Sequence, residues 1–241
     1  MGNTRFYDFN VHTVPDGKDT VKDVMAFAKH LGFGGFAITN HSNVEESYPE
    51  GSMQDGIDVY KAVEIVVSNP SKLNGLVGKY RKNVDVVAVH GGNEEINRAA
   101  VETPAVDILA HPQTSKNGGI NHVLAKSASH NNVAIEFNLD SIIKGRGGKR
   151  VHTLSFFSKN LELARKYNVP TILTSNAFNC FDLRAPEEMI ALSKLFGMGR
   201  EEAITSLSDI PESIITKNRN SGIVQEGVEI VNEEIVSSDG E

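Results

Sequence analysis

The sequence has 241 residues, of which 39% are hydrophobic, a formal net charge of −7, and a single cysteine, Cys180. This composition supports one large hydrophobic core, and it excludes a disulfide framework. It also excludes a membrane-spanning helix, because no apolar run approaches the roughly 18 residues that a bilayer requires. We therefore expect a soluble protein of a reducing compartment, the cytoplasm.

The negative charge is concentrated at the C-terminal end. Residues 226–241 contain six acidic residues and neither Lys nor Arg, whereas residues 1–225 contain 25 acidic and 24 basic residues. A nearly neutral body can still carry a basic face, so the net charge does not exclude a polyanionic partner. We predict a single domain over residues 1–225, followed by an acidic, disordered tail over residues 226–241.

Short apolar segments alternate along the chain with segments of helical periodicity. Strands are predicted over residues 5–11, 34–39, 59–68, 84–89, 106–110, 133–138 and 169–174. A helix is predicted over residues 20–31, with Thr20 and Asp23 as a capping pattern and Gly32 after its end. Further helices are predicted over residues 70–82, 93–101, 122–131 and 158–167, and from Pro186 to near Gly197.

The predicted strands are apolar on both faces, which is typical of a buried parallel sheet. Seven such strands alternating with helices over one domain favour an α/β fold, a TIM-like (β/α) barrel of about seven strands. An open, doubly wound sheet is the alternative architecture.

Polar residues follow or end nearly every predicted strand. They are Asn10 and His12, Asn40 and His41, Glu64, His90, His111, Glu136 and Asn138, and Ser175 and Asn176. Because the carboxyl ends of barrel strands meet at one face, these residues predict one polar mouth. A single His after a strand is usually a hydrogen-bonded loop residue, and the segment His90-Gly91-Gly92 is either a tight turn or an active-site loop.

The pattern resembles the polymerase and histidinol phosphatase (PHP) superfamily of metallohydrolases, whose barrels bind two or three metal ions. Compared with that pattern, four ligand positions differ: Asn10 and Phe178 replace His, and Asn40 and Asn176 replace Asp. Hydrolytic metal sites require anionic or imidazole ligands, so we expect neither a resident metal ion nor another cofactor. The residual metal-ligand candidates are His12, His41, Glu64 and His111. A metal-dependent phosphoesterase remains the alternative function.

Two longer stretches carry a closer resemblance. The segments "VHGGNEEINRAAVE" (residues 89–102) and "FDLRAP" (residues 181–186), with shorter matches across most of residues 5–200, resemble the archaeal ribonuclease P protein component 3 family. That family includes the 30 kDa subunit of the eukaryotic enzyme and is related in fold to the PHP barrels. The acidic tail lies outside the resemblance.

The resemblance implies a protein subunit of ribonuclease P, the tRNA-processing endonuclease that removes the 5′ leader of precursor tRNA. In this ribonucleoprotein the RNA subunit carries out the hydrolysis with Mg²⁺, so the chain itself is expected to be non-catalytic. The implied partners are the ribonuclease P RNA, precursor tRNA indirectly, protein component 2 in a heterotetramer with two copies of each protein, and the other ribonuclease P proteins. No membrane partner is implied.

Basic residues in five segments are candidates for RNA contact. Clustered Lys and Arg release counterions from phosphates, and a glycine-rich loop lets backbone N–H groups approach them. The predicted RNA-binding residues are Arg81 and Lys82 at a helix end, Arg98 and Lys126 on helices, Lys144, Arg146, Lys149 and Arg150 in a surface loop with three glycines, and Arg184. An aromatic RNA-stacking motif is missing from the sequence, so we expect recognition of backbone and shape rather than of bases.

Overall fold

The computed structural model describes residues 4–44, 56–114, 116–219, 223–225 and 228–229. Within them, seven parallel strands pair in sequence order to form a curved sheet. The strands are β1 (Tyr7–Val11), β2 (Gly35–Ile38), β3 (Asp58–Ile65), β4 (Val86–His90), β5 (Ile108–Ala110), β6 (Ala134–Asn138) and β7 (Thr171–Thr174). The predicted α/β barrel of about seven strands is confirmed.

The residues after β7 return to β1 and nearly close the barrel. Ala177 pairs in parallel with Val11, His12 N donates to Ala177 O at 2.8 Å, and Ala177 N donates to Asn10 O at 3.2 Å. The open-sheet alternative is therefore wrong, because both edges of the sheet are joined through these bonds.

Nine helices accompany the strands in the described part of the chain, and all but the last lie on the outer side of the barrel. They are α1 (Val21–His30), α2 (Leu73–Arg81), α3 (Glu94–Val101), α4 (His122–His130), α5 (Asp140–Lys144), α6 (Gly147–Tyr167), α7 (Pro186–Ser193), α8 (Arg200–Leu207) and α9 (Asp209–Arg219). The predicted start of α1 is confirmed, since Thr20 and Asp23 form a reciprocal capping box. In the part of the chain that the structure describes, none of the helices is long and apolar enough to cross a bilayer.

The segment 144–150 is not the predicted glycine-rich loop. Lys144 is the last residue of α5, and α6 begins at Gly147, eleven residues before the predicted helix at 158. Only Gly145 and Arg146 separate the two helices. Because the segment contains three glycines, the sequence did not predict a helix here. In the structure, the side chains of Arg146 and Arg150 donate to the backbone carbonyls of residues 143 and 145 and stabilise the junction between the two helices.

The barrel interior is filled by alternate residues of the strands. Phe9, Ala37, Tyr60, Ala62, Ala88, Ile108, Ala134 and Ile172 pack with Ile214 and Ile215 of α9 in one cluster. Small residues on β2, β3, β4 and β6 leave room for the rings of Phe9 and Tyr60, which meet edge to face at 5.8 Å between centroids. Helix α9 therefore packs against the interior of the barrel.

Polar and charged residues of α2 and α9 contact the amino-terminal ends of β4 and β5. Arg81 Nη1 donates to Asp107 Oδ2 at 2.5 Å, Asn218 Nδ2 donates to the same oxygen at 3.0 Å, and Lys217 Nζ lies 3.4 Å from Asp107 Oδ1. Arg219 pairs with Asp85 at 2.9 Å. Because Asp107 is fully buried, these donors are needed to stabilise its charge at this end of the barrel.

A short antiparallel hairpin lies in the C-terminal part of the chain. β8 (Ile223–Gln225) pairs with β9 (Val228–Glu229). Residues 228–229 belong to the segment 226–241, which the sequence predicts as an acidic and partly disordered tail. The rest of that predicted tail lies outside the described residues.

Candidate functional site

Polar side chains converge at the carboxyl ends of the strands, as the sequence predicts. His12, His41, Glu64 and His111 lie together there, and the structure adds His90 to them. Two sets of ligand atoms each lie within 4.8 Å of one another: those of His12, His41 and Glu64, and those of Glu64, His90 and His111. The two sets share Glu64.

Glu64 is the centre of this cluster. Its Oε1 atom lies 2.5 Å from His90 Nδ1, 3.5 Å from His111 Nε2 and 3.7 Å from His41 Nε2. Burial acts to raise the pKa of Glu64, but His111, His90 and His12 outweigh it and lower the pKa to about 2. In turn the hydrogen bond to Glu64 raises the pKa of His90. The site therefore holds an ionised carboxylate in a fully buried position.

Asp16, in the loop after β1, fixes two imidazole rings. Its Oδ2 atom accepts from His41 N at 2.8 Å and lies 3.0 Å from His12 Nδ1 and 2.8 Å from His41 Nδ1. Burial opposes ionisation, but the contacts with His12 and His41 lower the pKa of Asp16 to about 2. The ionised Asp16 favours protonated Nδ1 atoms in both rings. Asp16 was not predicted from the sequence because it follows no strand directly.

Asn10 occupies the space between two buried carboxylates. Its amide nitrogen donates to Glu136 Oε1 at 2.7 Å and to Glu64 Oε2 at 3.4 Å, and Thr39 Oγ1 donates to its oxygen at 3.0 Å. Thr174 Oγ1 donates to Glu136 Oε1 at 2.6 Å. A neutral amide thus holds the carboxylates apart through hydrogen bonds, where the PHP pattern has an imidazole ligand.

The other three substituted positions are also bound within the protein. Asn40 Oδ1 accepts from Thr13 N at 2.9 Å, Asn176 Oδ1 lies 3.2 Å from His12 Nε2, and the ring of Phe178 stacks on His12 at 4.1 Å between centroids. An amide or a phenyl ring supplies neither an anionic nor an imidazole ligand. A PHP-type centre of two or three metal ions therefore does not fit these residues.

His111 adopts an unusual backbone conformation. Its φ is 48°, and Asn176, which follows β7, has a φ of 50°, values that are uncommon for residues other than glycine. His111 N donates to Glu136 Oε2 at 2.9 Å, and Asn138 Nδ2 lies 2.9 Å from His111 Nδ1. These contacts hold the ring toward Glu64. Strained residues of this kind cluster at functional sites.

The segment His90-Gly91-Gly92 forms the predicted turn, and it also brings one imidazole ring into the candidate site. The ring of His90 lies in the site beside Glu64, and Gly92 has a φ of 84°, which requires glycine in the turn that follows β4. The signal for His90 in the sequence was its place at the end of a strand, which it shares with His111.

Five of the predicted RNA-binding residues lie near the barrel mouth, in the connections after β6 and β7. Lys144 pairs with Asp140 at 2.9 Å and with Asp182 at 3.3 Å. Arg146 and Arg150 donate to the carbonyl oxygens of residues 143 and 145, and Arg184 donates to those of residues 181 and 183. Lys149 is exposed in the first turn of α6. We call Lys144, Arg146, Lys149, Arg150 and Arg184 the mouth-side basic group.

The other four predicted RNA-binding residues lie away from this group. Arg81 and Lys82 are at the opposite, amino-terminal end of the barrel, where Arg81 is held by Asp107 while Lys82 is exposed. Arg98 is exposed on α3. Lys126 is exposed on α4, with its ammonium group 5.8 Å from the ring centroid of Tyr167. The nine residues therefore do not form one continuous surface.

Comparisons with known proteins place the chain among ribonuclease P subunits. Residues 5–221 match the model of the family described as RNase P subunit p30. Ribonuclease P protein component 3 of Methanococcoides burtonii is 57% identical over 231 residues, which cover 95% of each chain. In the cryo-EM structure of archaeal ribonuclease P with mature tRNA, one chain is similar with a TM-score of 0.75 and 28% identity, covering 95% of this chain and 99% of that one.

A more distant likeness concerns the fold alone. A Listeria monocytogenes protein described as a histidinol phosphatase is similar with a TM-score of 0.53 at 12% identity, over 73% of this chain and 97% of that one. The predicted relation in fold to PHP barrels is confirmed. The matches in sequence favour the ribonuclease P interpretation over the phosphoesterase alternative, and the chain belongs to the RNase P subunit p30 family.

Proposed function

We propose that this chain is a non-catalytic protein subunit of ribonuclease P and supports the catalytic RNA in removing the 5′ leader of precursor tRNA. The observation that carries the proposal is the match to the RNase P subunit p30 family over residues 5–221. The site agrees with it, because Asn10, Asn40, Asn176 and Phe178 are bonded or packed within the protein instead of supplying metal ligands. Mg²⁺ would act in the ribonucleoprotein as a whole.

The mouth-side basic group is the surface we assign to RNA. The acceptors of Arg146, Arg150 and Arg184 are backbone carbonyls, which fix the guanidinium groups without neutralising their charge. Cations held in place in this way lose little conformational entropy when they bind phosphate. Arg98 and Lys82, both exposed, are secondary candidates at other faces.

The proposal is tested by reconstituting precursor-tRNA cleavage from the ribonuclease P RNA and its proteins, with and without this chain. Arg146→Gln, Arg150→Gln and Arg184→Gln are then compared at several salt concentrations. Removal of one phosphate-binding cation should lower the slope of log affinity against log salt by about one. Arg165→Gln is the matched control, because Arg165 lies on α6 and is neutralised by Glu202 at 2.7 Å.

Two outcomes would contradict this assignment at different levels. If the three variants and the Arg165→Gln control share the wild-type salt slope, RNA binds another face. If omitting the whole chain leaves the rate and the magnesium requirement of cleavage unchanged, the ribonuclease P role itself is wrong.

We also propose that the chain assembles with protein component 2 as a heterotetramer with two copies of each protein, and that it works in the cytoplasm. The resemblance to component 3 proteins supports this partner. Co-expression followed by native mass measurement tests the stoichiometry, and a one-to-one complex would contradict it.

A further inference from the structure

Three metal-binding side chains lie side by side at the barrel mouth. Glu64 lies in β3, His90 ends β4 and His111 follows β5, and these three strands are consecutive neighbours in the parallel sheet. Parallel neighbours bring their carboxyl ends to the same edge, so the three side chains extend from adjacent positions. Their ligand atoms lie within 4.8 Å of one another.

The chemistry of the three side chains suits one transition-metal ion. Glu64 is fully buried, and its Oε1 atom faces His90 Nδ1 at 2.5 Å and His111 Nε2 at 3.5 Å. Two imidazole nitrogens and a carboxylate oxygen are a donor set that ions of the zinc class bind. The rings of His90 and His111 are inclined at 51° with centroids 4.9 Å apart, so they are not stacked on one another.

The second set of candidate ligands is less suitable. An imidazole binds a metal ion through a lone pair in the plane of its ring. The rings of His12 and His41 are stacked, with an angle of 15° between their planes, so their lone pairs run side by side. In addition, His12 Nε2 already faces Asn176 Oδ1 at 3.2 Å, and the ring of Phe178 also stacks on the His12 ring.

We propose that Glu64, His90 and His111 bind one divalent ion of the zinc class, which links the ends of β3, β4 and β5. His90 would bind through Nδ1 and carry its proton on Nε2, and the side chain is 40% exposed. His111 would bind through Nε2 and carry its proton on Nδ1, which lies 3.4 Å from Glu136 Oε2. In that state His111 Nδ1–H donates to Glu136 Oε2, and this hydrogen bond replaces the contact between His111 Nδ1 and Asn138 Nδ2. This inference is independent of the role in ribonuclease P.

Metal content measured on the purified full-length protein tests the proposal. The protein is stripped with a chelator, dialysed against Zn²⁺ and assayed by mass spectrometry of the metal, with the absorption spectrum of Co²⁺ as a second readout. Wild type should bind about one ion, and His90→Gln and His111→Gln should bind it more than about tenfold more weakly. His122→Gln, at an exposed histidine that begins α4, should bind as wild type does.

A second comparison distinguishes the two ligand sets. His12→Gln should retain the ion, and circular dichroism of the metal-free variants verifies that each is folded. The proposal is overturned if the wild-type protein shows no saturable binding of Zn²⁺. It is also overturned if folded His90→Gln and His111→Gln retain wild-type affinity, or if His12→Gln loses the ion while His90→Gln keeps it.

Discussion

Replacing Arg81 with Met distinguishes a role in the fold from a role in RNA binding. The guanidinium of Arg81 donates to Asp107 Oδ2 at 2.5 Å and to the carbonyl oxygens of Val84 and Asp85 at 2.8 Å. Asp107 is fully buried, and Lys217, at 3.4 Å, would remain as its cation. Removing one partner of a buried ion pair costs about 3–5 kcal/mol, and we expect about 3 kcal/mol because Lys217 stays.

Urea and thermal unfolding followed by circular dichroism measure this destabilisation, which corresponds to a melting temperature lower by about 6–12 °C for a chain of this size. Lys82→Met is the matched control. Lys82 is the next residue and is exposed, so its replacement should change the free energy of unfolding by less than about 0.5 kcal/mol. In the reconstituted enzyme, Arg81→Met should keep the wild-type salt slope. An Arg81→Met protein with wild-type stability and a reduced salt slope would refute the reasoning and support Arg81 as an RNA contact.

Three further predictions concern the site and the backbone. Burial raises the pKa of Asp8 from 3.8 to about 6, so ionisation of Asp8 destabilises the folded state as the pH rises through this range. Asp8→Asn should remove that decline in urea titrations between pH 4 and pH 8, and an unchanged pH profile would speak against it. Gly119 has a φ of 79°, and an added Cβ would overlap the Pro112 carbonyl, so Gly119→Ala should lower the free energy of unfolding by more than about 2 kcal/mol. Gly75→Ala, in open space on α2, should instead raise it by about 0.5 kcal/mol, and similar effects of both changes on urea unfolding would contradict this account. The isolated protein should not hydrolyse a phosphodiester with Mg²⁺, Mn²⁺ or Zn²⁺, and turnover that disappears in His111→Ala would count against the proposed function.

Features set by short-range sequence were predictable. The barrel follows from seven short apolar runs that alternate with helices, and the start of α1 follows from Thr20 and Asp23 within one turn. The convergence of His12, His41, Glu64 and His111 follows from the topology, because parallel strands place their carboxyl ends at one face.

Features set by tertiary contacts were not predictable. The early start of α6 opposes the low helix propensity of Gly147 and Gly148. The ion pair of Arg81 with Asp107 was not predictable, because the sequence does not show that Asp107, 26 residues later, lies within reach of the guanidinium. Asp16 was not predicted as a site residue, because only the folded loop after β1 brings its carboxylate to His12 and His41.

The contacts of α9 with the amino-terminal end of the barrel determine when the barrel can finish folding during synthesis of the chain. Asp85 and Asp107 are made early, but Lys217, Asn218 and Arg219 belong to the last described turn of α9. Until that turn leaves the ribosome, the carboxylate of Asp107 lacks two of its donors and Ile214 and Ile215 are missing from the interior cluster. The seven strands are therefore all synthesised before the barrel can reach its final stability, and a chain that ends before Ile214 would lack both these donors and these interior contacts.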